Sequence, residues 1–323
     1  MVDSFFSNAR AVSQENYLLG KDRLNRMIDC ETAEEAYKIL LESGFGNGTV
    51  GSCADFENLI SAEMQKFRSF LDETCVNGAF KSFLLIKNDY HNAEAFIRSK
   101  YLNVRAEDFT VQDGLIEKSV LKGYILSDKY DSLPKSLKTA LINIDEAFVS
   151  GNASGFFVSS EIKKALYSEY KKICKGDLKK ILEVKADAVN IGAVLRSDNY
   201  EQAKKNFVCG GSVSEATLKK LSEAPEEQLK SLAKDIKSEL DIVSAVEDVI
   251  MGKPLTELER EADGYALKYF KKFKYSADGD YPYMLYCYYK LNEIDNVRII
   301  MVGLLNGIDK NEIKRRLRET YER

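Results

Sequence analysis

Proline, histidine and long apolar runs are scarce in this chain, and each scarcity excludes something. Only 4 of the 323 residues are proline. Proline breaks helix interiors, so its scarcity beside abundant Leu, Ala, Glu and Lys predicts an all-helical fold. There is one histidine, His91, and none of the six cysteines forms a CxxC pair. That leaves no basis for a zinc site. Cys30, Cys53, Cys75, Cys174, Cys209 and Cys287 read mostly as small buried hydrophobes, not as a disulfide framework. No apolar run approaches the ~20 residues that span a bilayer. The longest, Val297 to Leu305, is interrupted by Arg298. The start, Met1-Val2-Asp3-Ser4-Phe5-Phe6, lacks the basic n-region and apolar core of a signal peptide. The expectation is a soluble protein on the cytosolic side. A net charge of −4 argues against nucleic acid as a partner. No Walker-type lysine motif occurs, so ATP is not bound by a P-loop.

What is present is a repeat. Asp89-Tyr90-His91-Asn92-Ala93 through Arg98, Asp187-Ala188-Val189-Asn190-Ile191 through Arg196, and Glu293-Ile294-Asp295-Asn296-Val297 through Val302 share one pattern. An acid stands three residues before an Asn, and apolar residues follow the Asn. The copies lie 98 residues (190 − 92) and 106 residues (296 − 190) apart. Such a period predicts like structural units. We divide the chain at 1–106, 107–208 and 209–323.

Apolar spacing predicts helices over 22–43, 55–73, 80–101, 160–172, 178–196, 256–274 and 309–319. Pro134 and Tyr281-Pro282-Tyr283 mark helix starts, and Asp309 with Glu312 makes a capping box. No segment shows sustained strand alternation. Phe83 to Ile86 is an ambiguous short apolar run.

Each candidate for chemistry has a structural reading that fits better. Gly46-Asn47-Gly48-Thr49-Val50-Gly51 matches GxGxxG by letter. A helix precedes it where the phosphate-binding mechanism needs a strand. His91 has Val189 and Asp295 as its counterparts, so it reads as a partly exposed helix residue. Asp89, Asp187 and Glu293 sit one turn before each Asn. An acid there can accept the amide's hydrogen bond or cap the helix. Tyr281, Tyr283, Tyr286, Tyr288 and Tyr289 suit helix packing or a protein interface. Lys310, Lys314, Arg315, Arg316 and Arg318 read as a solvated helix end, with lipid headgroups or an acidic partner as the alternative. No catalytic, cofactor-binding or metal-binding residue is assigned.

Asn292-Glu293-Ile294-Asp295-Asn296-Val297-Arg298 through Ile308, followed by Glu312-Ile313 and Arg316-Leu317-Arg318, resembles the C-terminal signature of the V-type ATPase C-subunit family, whose eukaryotic members are called d. Asp89-Tyr90-His91-Asn92 resembles the family's first-domain motif, and Leu24 to Leu41 also fits. The resemblance covers most of the chain. Segments 44–56 and 108–132 are least distinctive, and the glycine-rich 44–51 is a departure. The length is closer to that of prokaryotic members. The resemblance implies an all-helical funnel of three similar domains around a pseudo-threefold axis, seated on the cytoplasmic face of a membrane rotor ring of proteolipid subunits. The central stalk, of D- and F-type subunits, would insert into it, and no cofactor or small-molecule substrate is implied. From the residues alone two other readings stay open, a helical-repeat scaffold with no membrane partner and a small-molecule enzyme using the glycine loop and the clustered acids, which substitution of Gly48 and Asp187 would test.

Overall fold

The computed structural model describes residues 3–48, 51–102, 104–276 and 278–322. Among these residues there is no strand, as the composition predicts. The helices are α1 (Ser4–Glu15), α2 (Gly20–Asp29), α3 (Ala33–Glu42), α4 (Phe56–Thr74) and α5 (Gly78–Leu102). They continue with α6 (Lys118–Leu126), α7 (Lys135–Val149), α8 (Gly155–Ile173), α9 (Gly176–Arg196) and α10 (Tyr200–Lys204). Then come α11 (Glu215–Glu223), α12 (Glu226–Asp235), α13 (Ile242–Ile250), α14 (Thr256–Lys271), α15 (Tyr281–Leu305) and α16 (Lys310–Arg316). None of the described helices is long and apolar enough to cross a membrane. Met1 and Val2 of the N-terminal stretch, and Thr49 and Val50 of the glycine-rich loop, lie outside the described residues.

Several boundaries differ from the sequence expectation for physical reasons. The single helix expected over 22–43 is two. Cys30 is extended (φ −58°, ψ 148°), and Thr32 caps α3 by accepting from the Glu35 N–H at 3.3 Å. The Glu35 carboxylate returns to the Glu31 N–H at 3.0 Å, so the local caps outcompete the continuous apolar stripe. Helix α1 has no counterpart in the sequence expectation. The residues it buries are Ser7, Ala11 and Glu15, which leave no stripe of large apolar side chains. Phe83 to Ile86 lies inside α5, all four residues buried.

The chain forms two compact units, residues 1–78 with 266–323, and residues 79–265. In the first, α2, α3, α4, α15 and α16 share a core that includes Leu24, Met27, Ile28, Leu40, Leu59, Ile60, Val297, Ile300, Met301 and Ile313. Each such large side chain contributes about 1.5–3 kcal/mol on burial. In the second, α7 packs on α8, and α9 meets α8, α10, α11 and α13. Phe80, Leu121, Leu141, Ile144, Ile181 and Ile191 are fully buried there. The three motif helices, α5, α9 and α15, bury residues on every face, as core helices do. Two of them are entered alike. Cys75 closes α4 and Cys174 closes α8, both extended at φ −77°, with N–H bonds to Leu71 and Tyr170 carbonyls. All six cysteines are free. Cys53, Cys174 and Cys287 are buried, while Cys209 is exposed.

A buried ionic cluster ties the first unit together. The Lys290 ammonium on α15 lies 2.5 Å from Glu63 on α4 and 2.7 Å from Glu293. The other Glu63 oxygen accepts from the Gly46 N–H at 2.8 Å, and Glu293 accepts from the Leu19 N–H. Burial works to lower the Lys290 pKa, but Glu293 and Glu63 outweigh it and hold the ammonium above its ordinary value. Burial opposes ionisation of Glu63, but Lys290, the Gly46 N–H and Lys66 together outweigh it and hold that carboxyl below its ordinary range. Burial pushes Glu293 up. Breaking one partner of a buried ionic set is strongly unfavourable, because charge is left uncompensated. We therefore expect Lys290→Met to destabilise the fold by about 3–5 kcal/mol at neutral pH in urea unfolding. Both carboxyls would then lose the cation that favours their ionised forms. The penalty should fade as pH falls below the ordinary Glu value near 4.5 and grow as pH rises above it. A penalty independent of pH would refute the ionic account.

Candidate functional site

The repeated acid and Asn project from one face of each motif helix, because residues three apart are neighbours on a helix surface. On α5, the Asn92 side chain pairs with the backbone of Val111 in both directions. Its amide donates to the Val111 carbonyl at 2.9 Å, and its carbonyl accepts from the Val111 N–H at 2.8 Å. Asp89 then accepts from the N–H groups of Leu115 and Ile116, both at 3.0 Å. On α9, Asn190 pairs with Val208 at 3.0 and 2.8 Å. Asp187 accepts from the N–H groups of Ser212 at 2.9 Å and Val213 at 3.0 Å, and from the Ser212 hydroxyl at 2.6 Å. On α15, Asn296 pairs with Arg318 at 2.9 and 2.8 Å.

Each motif is thus a clamp on an extended linker that returns past its helix. The expectation that the acid accepts from the Asn amide is corrected. Both side chains reach outward to the linker backbone, which has no helix or sheet of its own to satisfy it. Asp89, Asn92, Asp187, Asn190, Glu293 and Asn296 are all buried, so the unpaired groups could not turn to water. Burial pushes the Asp187 carboxyl up, while its bonds to Ser212 and Val213 draw it back.

Sequence reading missed the linker half of the clamp. Gly114 passes so close to Asp89 that a Cβ there would collide with the carboxylate, and Gly211 stands in the same relation to Asp187. The signal was available, since Val111-x-x-Gly114 and Val208-x-x-Gly211 repeat at an interval of 97 residues (208 − 111). Both linkers end in a side-chain cap, Glu117 on α6 and Ser214 on α11.

The other candidates resolve as structural. Gly46 and Asn47 have positive φ (66° and 62°), and the Gly46 N–H is taken by Glu63. Helix α3 precedes this loop, where a phosphate cradle would have a strand. His91 is exposed and bonds the Phe109 carbonyl at 2.6 Å. Tyr283, Tyr286, Tyr288 and Tyr289 are buried. Tyr283 stacks on Phe70 with ring centroids 5.5 Å apart. Every cation of the basic tail meets an acid, Arg315 and Arg316 sharing one. Lys310 meets Glu31, Lys314 meets Asp29, Arg315 and Arg316 meet Glu312, and Arg318 meets Asp295. A groove of about 500 Å³ in the second unit is lined by Phe156, Lys163, Tyr167, Lys185, Arg196 and Asp263 among others. Two of its cations are paired, Lys185 with Asp263 and Arg196 with Glu259. Among the described residues, no three His, Cys, Asp or Glu are grouped to hold a metal.

Two substitutions read the clamp. Asn190→Ala strands a buried N–H and a buried carbonyl on Val208, and should cost about 1–3 kcal/mol for each group. Gly211→Ala forces the linker away from Asp187 and should cost about 1–3 kcal/mol. Urea unfolding measures both. Wild-type stability in either variant would remove the clamp from the account of the fold.

Comparison with known proteins places the chain in a family. The C subunit of the V-type sodium ATPase of Enterococcus hirae is 21% identical over 322 residues, covering 96% of each chain. The sequence profile of the ATP synthase (C/AC39) subunit family matches residues 7–316, which include all three motif helices. The chain belongs to the ATP synthase (C/AC39) subunit family, that of the V-type ATPase C subunits.

Proposed function

We propose that this chain is the non-catalytic central rotor subunit of a V/A-type ATPase. It links the central stalk of D- and F-type subunits to the membrane ring of proteolipid subunits, on the cytoplasmic face. In this reading the units 1–106, 107–208 and 209–323 are three like domains around a pseudo-threefold axis, forming a funnel that receives the stalk. The chain turns with the ring and passes torque between ion flow and ATP hydrolysis or synthesis. It carries no cofactor.

The observation that carries this reading is the threefold repetition of a clamp whose groups are all spent on the fold. A coupling part must resist deformation. One charge moving through 100 mV supplies about 2.3 kcal/mol, and that work is lost if the connecting part yields. Buried side chains that pin backbone linkers to core helices stiffen each repeat without adding chemistry. The family, whose members are accessory subunits, points the same way.

The test is a pull-down of the purified chain against the central-stalk complex and, separately, against the detergent-solubilised rotor ring. Binding to both is expected. A folded, helical chain that binds neither would overturn the coupling role and leave a helical scaffold with another partner. Turnover of a small substrate that is lost on Gly48→Ala or Asp187→Asn would overturn the non-catalytic assignment.

A further inference from the structure

In the second compact unit each clamp grips one continuous linker. Asn92 takes Val111, Asp89 takes Leu115 and Ile116, and α6 begins directly after. Asn190 takes Val208, Asp187 takes Ser212 and Val213, and α11 follows. The clamp on α15 makes the same two grips on two segments that are distant in sequence. Asn296 takes Arg318, while Glu293 takes the N–H of Leu19, directly before α2. Those two gripped residues are 299 positions apart (318 − 19).

The correspondence extends beyond the two main grips. Asn88, next to Asp89, donates to the carbonyls of Gln112 and Asp113 at 3.3 Å. Asn292, next to Glu293, donates to the Glu319 carbonyl at 2.9 Å. Arg318-Glu319 is therefore held as Val111-Gln112 is held. The helix ends that flank residues 17–19 touch the C-terminal piece. Lys21 pairs with Glu322 at 2.7 Å, and the Tyr321 hydroxyl donates to Glu15 at 3.0 Å. Only this copy carries Glu in place of Asp. Its longer side chain reaches Leu19 and meets Lys290 at 2.7 Å as well.

We infer that the third linker is present in two pieces, residues 317–322 and residues 17–19, which α15 holds together as one latch. Arg318-Glu319 supplies the half gripped by the asparagines, and Leu19 the half gripped by the acid. The latch makes the segment before α2 and the segment after α16 thermodynamically interdependent, since coupling between two sites on one element is reciprocal.

Native-state hydrogen exchange resolved at single amides tests this on the full chain, a chain ending at Arg316, and Glu293→Gln. The shortened chain should exchange the Leu19 amide at least about tenfold faster, although Leu19 itself is untouched. Glu293→Gln should speed the Arg318 amide, although Asn296 is untouched. The Leu40 and Ile60 amides in the core of the same unit, and the Val208 and Val213 amides in the other, should keep their wild-type rates, which shows that the variants remain folded. If each change affects only its own segment, the two pieces are independent and the latch is refuted. If any of these control amides also loses protection, the Asn296→Asp full-chain variant replaces the shortened one. It keeps residues 317–322 and sets a carboxylate oxygen where the donor to the Arg318 carbonyl stood. An unchanged Leu19 rate there would refute the latch equally.

Discussion

The fold depends on one kind of interaction, a buried Asn side chain that pairs with an extended backbone as a strand would. A carboxamide presents a donor and an acceptor with the spacing of a peptide group, so a single side chain satisfies both backbone groups of one linker residue. In an all-helical protein this matters most where the chain leaves a core helix and must cross it again. Such a crossing has buried polar groups and no sheet to join. Val111, Val208 and Arg318 are those crossings, and Asn92, Asn190 and Asn296 are their partners. The acids extend the same solution by one step along the linker. They fix the direction in which α6 and α11 set out.

The sequence made the helical half of this arrangement visible. The motif helices, the cap at Asp309 and the helix start at Pro134 lie where spacing and turn chemistry place them. Long-range partners were less legible. Asp89 and Asn92 point to the same face, and from sequence alone the nearest partner for each was the other. The returning linker left only the repeated Val-x-x-Gly of 111–114 and 208–211, because Val111 and Val208 are ordinary apolar residues in segments without helical periodicity. Helix α1 escaped because it packs through Ser7 and Ala11. Close helix approach uses small side chains, which leave no apolar stripe. The break at 30–32 escaped for the opposite reason. The apolar stripe continues across it, and only the capping exchange between Thr32 and Glu35 shows that the chain stops and restarts.

The ionic cluster and the clamps are different answers to the cost of burying polar groups. The clamps pair neutral or singly charged side chains with backbone and leave little charge to compensate. Around Lys290 one cation is set among two carboxylates, with a third contribution from Lys66 at 3.0 Å from Glu63. This cluster joins the Gly46 turn, the α4 and α15 helices and the Leu19 amide in one network. A network of this kind is sensitive to the loss of Lys290, Glu63 or Glu293, because the other two are buried with it.

The pairing of α16 has a consequence for how this end of the protein meets other surfaces. Lys310, Lys314, Arg315, Arg316 and Arg318 look like a cationic patch in the sequence, yet each faces an acid of the same chain. Paired charges cancel within a few ångströms and project little field past the Debye length of about 8 Å at physiological salt. Approach to this end is then governed by shape and by exposed apolar groups, not by long-range attraction. Its encounter rates with acidic surfaces should rise little as salt is removed, in contrast to the steep ionic-strength dependence of electrostatically steered partners.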